Sequence, residues 1–193
     1  MMRLFVALTL PEEIREALAA LENGLPGVRW VPEENLHLTL RFIGEVDGGL
    51  AHDIDDTLVA LRMPAFALRL SGVGRFGDGR KLRALWAGVE PNPELVRLRD
   101  KIERALVGCG LKPEPRKFAP HISLARFKNN GAGLPPEKLE RYLAEHALFK
   151  AGPFPVEHFT LYSSFLSSSG AIYTPEADYP LEGAAPMVET GAG

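Results

Sequence analysis

The sequence predicts one domain that mixes strands and helices, α/β or α+β, and not an all-β fold. Strand-like and helix-like segments alternate along a chain of 193 residues, long enough for one well-packed core and short for two. Apolar residues make up 46% and charged residues 24%, a balance that excludes a disordered or fibrous chain. A short pattern, His-x-Thr/Ser within an apolar run, occurs twice, and its surroundings echo each other.

The elements follow in order. "MRLFVALT" (2–9) reads as a strand, and Pro11 opens a helix over 11–22 with Glu12 and Glu13 in its first turn, where negative charge suits the helix dipole. "VRWV" (28–31) and "LHLTLRFIG" (36–44) read as strands, and a helix over 50–62 spaces Ile54, Leu58 and Leu61 along one face. "FALRLSGV" (66–73) and "LRALWAGV" (82–89) are strands joined by the loop "GRFGDGRK". The clearest helix covers 93–108 and is closed by Gly110. "HISLARF" and "PVEHFTLYSSF" (155–165) are strands on either side of a helix over 136–147. The domain is expected to span 1–182, with 183–193 a disordered tail of small and polar residues.

A net charge of −3 argues against a protein that coats long nucleic acid, yet suits a small charged substrate or the end of an RNA. The one cysteine, Cys109, allows neither an intrachain disulfide nor a zinc site built on several thiolates. The first residues lack the small-residue site of a cleaved signal, and no run approaches the ~20 apolar residues of a membrane span. The expectation is a cytoplasmic monomer with no membrane attachment.

His37 lies about 13 residues before a helix start at Leu50, and His121 the same distance before one near Leu134. On a strand, residues i and i+2 share a face. His37 and Thr39 therefore point one way while Leu38 and Leu40 turn to the core, and His121 and Ser123 repeat this against Ile122 and Leu124. If the two strands are neighbours, two imidazoles and two hydroxyls converge. That set suits phosphodiester chemistry without a metal: one histidine activates water, the other protonates the leaving oxygen, and hydroxyls and cations hold the phosphate oxygens. One such motif alone is a weak signal; the matched pair is a strong one.

These motifs, with "RLFVALTLP", "VRWVPEENLHLTLRFIGEV", "GVGRFGDGRKLRALWAGV" and "KPEPRKFAPHISLARF", resemble the 2H phosphoesterase superfamily over about residues 2–182. The resemblance is greatest to its RNA 2′,3′-cyclic phosphodiesterases, also called 2′-5′ RNA ligases. It implies an α+β, bilobal, pseudo-two-fold fold: two antiparallel sheets, helices on their outer faces, and a central groove. It also implies hydrolysis of an RNA 2′,3′-cyclic phosphate end, or of a small cyclic nucleotide, to a 2′-phosphate with no cofactor and no metal. His37 and His121 take the acid and base roles in either order, while Thr39 and Ser123 bind the phosphate. Arg126 matches an arginine placed near the phosphate in that branch.

Strict alternation disagrees about Arg126, because counting by twos from His121 turns it away; a bulge or the strand's end would bring it back. The same count puts Arg41 on the His37 face, as an alternative ligand. Phe42 is a candidate stacking surface, though core packing is the plainer role, as it is for Phe127, Trp30 and Trp86. Arg80 and Lys81, with Arg75 and Arg83, form a basic rim that can meet an RNA backbone, in a loop lacking the G-K-[ST] ending of a phosphate loop. Two other readings compete: ligation by the reverse reaction, and non-catalytic binding of RNA ends, which would not need two titrating groups. A metal-dependent hydrolase is disfavoured, since neither H-E-x-x-H nor an acidic cluster stands near either motif.

Overall fold

In the computed structural model, residues 1–184 are described, and nine antiparallel strands form one curled sheet with four helices. In chain order these are β1 (Met2–Thr9), α1 (Glu12–Ala19), β2 (Val28–Trp30), β3 (His37–Val46), α2 (Gly48–Val59), β4 (Phe66–Phe76), β5 (Ala84–Val89), α3 (Pro93–Gly108), β6 (His121–Phe127), α4 (Pro136–Glu145), β7 (Lys150–Val156), β8 (His158–Ser167) and β9 (Gly170–Pro180). The strand order is β7-β4-β5-β6-β3-β1-β8-β9, with β2 added to β6. The mixture of helices with an antiparallel sheet is the α+β class.

Two separate sheets were expected; the pairing instead runs through a single sheet. Its two halves meet through one residue pair, Leu38 opposite Ile122, between β3 and β6. Beyond that pair the strands part, and β2 takes β3's place along β6, with Arg29 opposite Arg126. The centre of the sheet is therefore its most thinly bonded line.

The segment 155–165 is also two strands and not one. β7 ends on β4, with Val156 opposite Phe66, while β8 starts on β9, with His158 opposite Pro180. Only Glu157 separates strands near opposite ends of the order. Successive Cα atoms are about 3.8 Å apart, so the sheet must curl until its ends meet. Backbone bonds fasten that corner: Glu182 donates its N–H to Met63 at 2.8 Å, and Ala65 donates to Glu182 at 2.9 Å. β9 carries Pro175 and Pro180, which hide a strand from pattern reading; an edge strand tolerates both.

Helix ends follow local chemistry. Asp47 accepts a bond from the Leu50 N–H at the start of α2, and Asn92 accepts from Glu94 and Leu95 at the start of α3. Gly110, at φ +96°, leaves α3 in the left-handed conformation. The buried faces of the helices, such as Leu18, Ile54, Leu98, Ile102 and Leu139, join Leu38, Leu40, Ile122 and Leu124 in one core cluster. The opposite face of β3 and β6 is left to the polar residues of the two motifs. No described helix is long and apolar enough to cross a membrane. The expected tail lies outside the described residues from 185 onward; before it, Ala184 donates to Leu181 in a closing turn.

Candidate active site

The two motif strands are neighbours. With Leu38 opposite Ile122 in antiparallel register, His37 comes level with Ser123 and Thr39 with His121. Leu38, Leu40, Ile122 and Leu124 are buried, whereas the four motif side chains are half-buried on the open face. The arrangement is a diamond of two imidazoles and two hydroxyls at the seam between the halves.

Both histidines are held in the same way. His37 Nδ1 lies 2.7 Å from the carbonyl oxygen of Asn35, and His121 Nδ1 lies 2.7 Å from that of Ala119. A carbonyl only accepts, so each Nδ1 carries the hydrogen, and each Nε2 is the nitrogen left for chemistry. His37 Nε2 stands 2.9 Å from Thr39 Oγ1. Aromatic rings fix both imidazoles: Phe5 (5.1 Å) and the edge-on Tyr173 (5.3 Å) against His37, and the edge-on Phe76 (4.8 Å) against His121. Burial lowers the pKa of His37, the Asn35 carbonyl partly opposes this, and the nearby His121 lowers it further.

A bulge follows each motif. Along β3, Thr39 pairs with Ala7 but Arg41 with the very next residue, Val6, and Phe42 with Phe5. Along β6, Ser123 pairs with Trp86 but Ala125 with Leu85, and Arg126 with Ala84. One extra residue, Leu40 or Leu124, is thus inserted in each strand, and the alternation slips by one. Arg126 is returned to the open face by this route. Phe42 is returned in the same way, and is 57% exposed.

Arg41 is therefore not a groove residue, contrary to the count by twos. It is 8% exposed and bonded on the helix side: Nε donates to Glu103 Oε2 at 2.5 Å, one terminal nitrogen to the Lys112 carbonyl at 2.6 Å and the other to the Phe42 carbonyl. Burial alone would raise the pKa of Glu103; bonds from Arg41 and the Glu114 N–H, with the charges of Arg41 and Arg99, bring it below the usual carboxylate range.

Arg80 and Lys81 are exposed in a 3₁₀ turn (Gly79–Lys81) at the tip of the β4–β5 hairpin, beyond the Ala84–Arg126 pair. Arg75 is engaged by Glu140. Phe127 is buried, and Trp30 packs on the core beside Tyr142. Among the described residues, no group of three or more His, Cys, Asp or Glu side chains is placed to hold a metal ion. Sequence reasoning missed Tyr162 and Tyr173, which surround Phe5 beneath His37: the strand holding Tyr173 was unread, and Tyr162 reaches Phe5 only through the non-local pairing of β8 with β1. It also missed the environment of Thr9, whose Oγ1 lies within 3.4 Å of His158, Thr160 and Tyr162.

The 2′-5′ RNA ligase superfamily model matches residues 10–164. The chain belongs to that superfamily. It is 37% identical over 161 residues to an RNA 2′,3′-cyclic phosphodiesterase of Aeropyrum pernix, covering 83% of this chain and 88% of that one. It is 31% identical over 177 residues to the Escherichia coli protein of the same name, covering 90% and 93%. Its fold superposes on E. coli LigT complexed with 3′-AMP at a TM-score of 0.74, with 30% identity over 94% of this chain and 98% of the other. For this superfamily member, the likeness thus spans nearly the whole described chain.

Proposed function

We propose that this chain hydrolyses RNA 2′,3′-cyclic phosphate ends to 2′-phosphates with two histidines as acid and base. The observation that carries the reading is the matched pair of imidazoles, each with Nδ1 tied to a carbonyl two residues earlier, which leaves Nε2 as the nitrogen for proton transfer, that of His37 lying beside the Thr39 hydroxyl. The relatives named RNA 2′,3′-cyclic phosphodiesterase support the same substrate.

The reaction needs one neutral and one protonated imidazole. His37 is the one disposed to be neutral, through burial and the neighbouring His121, and we assign it the base. Its Nε2 takes a proton from water as the water oxygen attacks phosphorus. The P–O3′ bond breaks, and protonated His121 gives its proton to O3′, leaving a 2′-phosphate and a 3′-hydroxyl. Thr39, Ser123 and Arg126 bind the non-bridging oxygens, on which charge builds in the transition state. The chain acts in the cytoplasm as a monomer in this account.

Hydrolysis of a short RNA with a 2′,3′-cyclic phosphate end, run in ¹⁸O-water with EDTA present, tests the reading. One labelled oxygen in a 2′-phosphate product supports it; a 3′-phosphate product, or no turnover, overturns it. Ligation uses the same groups in the same direction, with an RNA 5′-hydroxyl in place of water attacking phosphorus as the P–O3′ bond breaks, and a second RNA fragment in the mixture scores it directly.

A further inference from the structure

The two imidazoles share one kind of anchor, a carbonyl two residues earlier, but the anchors are themselves secured differently. In the His121 half the carbonyl belongs to Ala119, and Pro120 follows it. Proline fixes its own φ and confines the residue before it, so this peptide is stiff by sequence alone. In the His37 half the order is Asn35, Leu36, His37, without a proline. The Asn35 N–H closes a 3₁₀ turn on the Pro32 carbonyl at 2.8 Å, which restrains the preceding peptide and not the carbonyl that holds His37.

The Asn35 side chain supplies the restraint. Its Nδ2 donates to the Ala171 carbonyl at 3.0 Å, a bond between residues 136 apart in sequence. Ala171 lies near the closed end of the β8–β9 hairpin, opposite Leu166. The strand order runs β3-β1-β8-β9, so three strand spacings, about 14 Å on a flat sheet, separate the start of β3 from β9. An asparagine side chain cannot cross that gap. The twist and curl of the sheet must therefore carry the end of the hairpin back across the open face.

A second contact agrees. Tyr173 lies two residues on from Ala171, on the same face of β9. It sets its ring edge-on against both His37 (5.3 Å) and Phe5 (5.1 Å). The hairpin thus meets the His37 assembly twice, at the ring and at the residue whose carbonyl holds Nδ1. The core does not fix this end of the hairpin, since Phe165 and Leu166 are 68% and 70% exposed.

We infer that Asn35 is a positioning residue, which latches the β8–β9 hairpin to the carbonyl fixing His37 and so sets the tautomer and aim of that ring. The inference rests on the reading of His37 as a proton-transfer group. A carbonyl free to swing lets the neutral imidazole carry its hydrogen on Nε2, where it cannot act as a base. The Asn35 bond and the Tyr173 contact belong to one unit, so loss of either releases the same ring.

The test uses Asn35→Ala, Tyr173→Leu and the double variant. Two readouts are taken: kcat and KM on an RNA ending in a 2′,3′-cyclic phosphate, and the ¹⁵N signals of both histidine rings at a pH where they are neutral. Each single variant is expected to lose roughly tenfold or more in kcat, with KM within about twofold. The double variant should fall within about twofold of the weaker single one, as coupled residues do. Wild-type His37 should show a protonated Nδ1 and a bare Nε2, and each variant a mixture of tautomers, while the His121 signals stay in place. Wild-type kcat in both single variants overturns the positioning role. So does a loss of kcat with the His37 signals unchanged, or with the signals of both rings altered alike, and so do losses that multiply in the double variant. Absence of turnover by wild type overturns the phosphodiesterase reading instead, and the ring signals then decide the latch by themselves.

Discussion

Phe42 and Arg126 occupy the same step of the two motif strands, each brought to the open face by a one-residue bulge just after Thr39 or Ser123. The backbones are matched, but one half of the site presents an aromatic ring and the other a guanidinium. The positive charge that a phosphate needs thus comes from the His121 half alone at this level.

Arg126→Ala should lower kcat/KM on a cyclic-phosphate RNA end by roughly 10- to 100-fold, the worth of a charge-assisted hydrogen bond of about 1.5–3 kcal/mol. Arg126→Lys should restore part of that loss, and Phe42→Ala should cost less than Arg126→Ala. Steady-state kinetics of the three variants decide it; an unaffected Arg126→Ala removes the guanidinium from the phosphate site.

Arg41→Ala should act on stability and not on chemistry. It leaves Glu103 without its buried partner, a loss of about 3 kcal/mol by analogy with broken buried pairs, with activity per folded molecule retained. Urea denaturation beside active-site titration separates the two effects. A large fall in kcat at unchanged stability would return Arg41 to the reaction.

The contrast between Arg41 and Arg126 shows what was legible in the sequence. The two motifs, their strands and the inward turn of Leu38 and Ile122 could be read from residue type and period 2, because those patterns are local. The bulges could not, since they are fixed by pairing with β1 and β5, and they decide which arginine faces the substrate. The single seam between β3 and β6 escaped for the same reason. β9 escaped because Pro175 and Pro180 mark a strand only when its edge position is known, and Tyr173 beside His37 went with it. Phe76 was read as loop, yet it extends β4 to reach His121.

The pH dependence should follow His37. Its pKa is held below the ordinary histidine value of about 6.5, so a base at this position stays neutral to lower pH. The acid limb of kcat/KM should then have its midpoint below pH 6.5. The folded state binds fewer protons here than the unfolded chain, so this group's share of stability is present above pH ~6.5 and falls as pH drops below it. A midpoint above 6.5 would contradict the assignment of His37 as base.

Glu22 should oppose folding at alkaline pH. Burial first, and then the charge of Glu33, raise its carboxyl to about 7, and Oε1 is shielded without a donor among the described residues. A carboxyl raised in the folded state favours folding below its unfolded value of 4.5, and that advantage is lost as pH rises through about 7. Glu22→Gln should therefore stabilise the protein more at pH 8 than at pH 5. Denaturation curves at the two pH values check this, and an equal effect at both would refute it.

The paired histidines are the centre of the account, and kcat/KM for wild type, His37→Ala and His121→Ala on one RNA ending in a 2′,3′-cyclic phosphate tests them most directly. General acid and base each contribute roughly 10²–10⁴-fold, so each variant should lose at least about 100-fold while folding normally, and EDTA should change nothing in wild type. Either alanine variant retaining wild-type turnover would contradict the two-histidine mechanism.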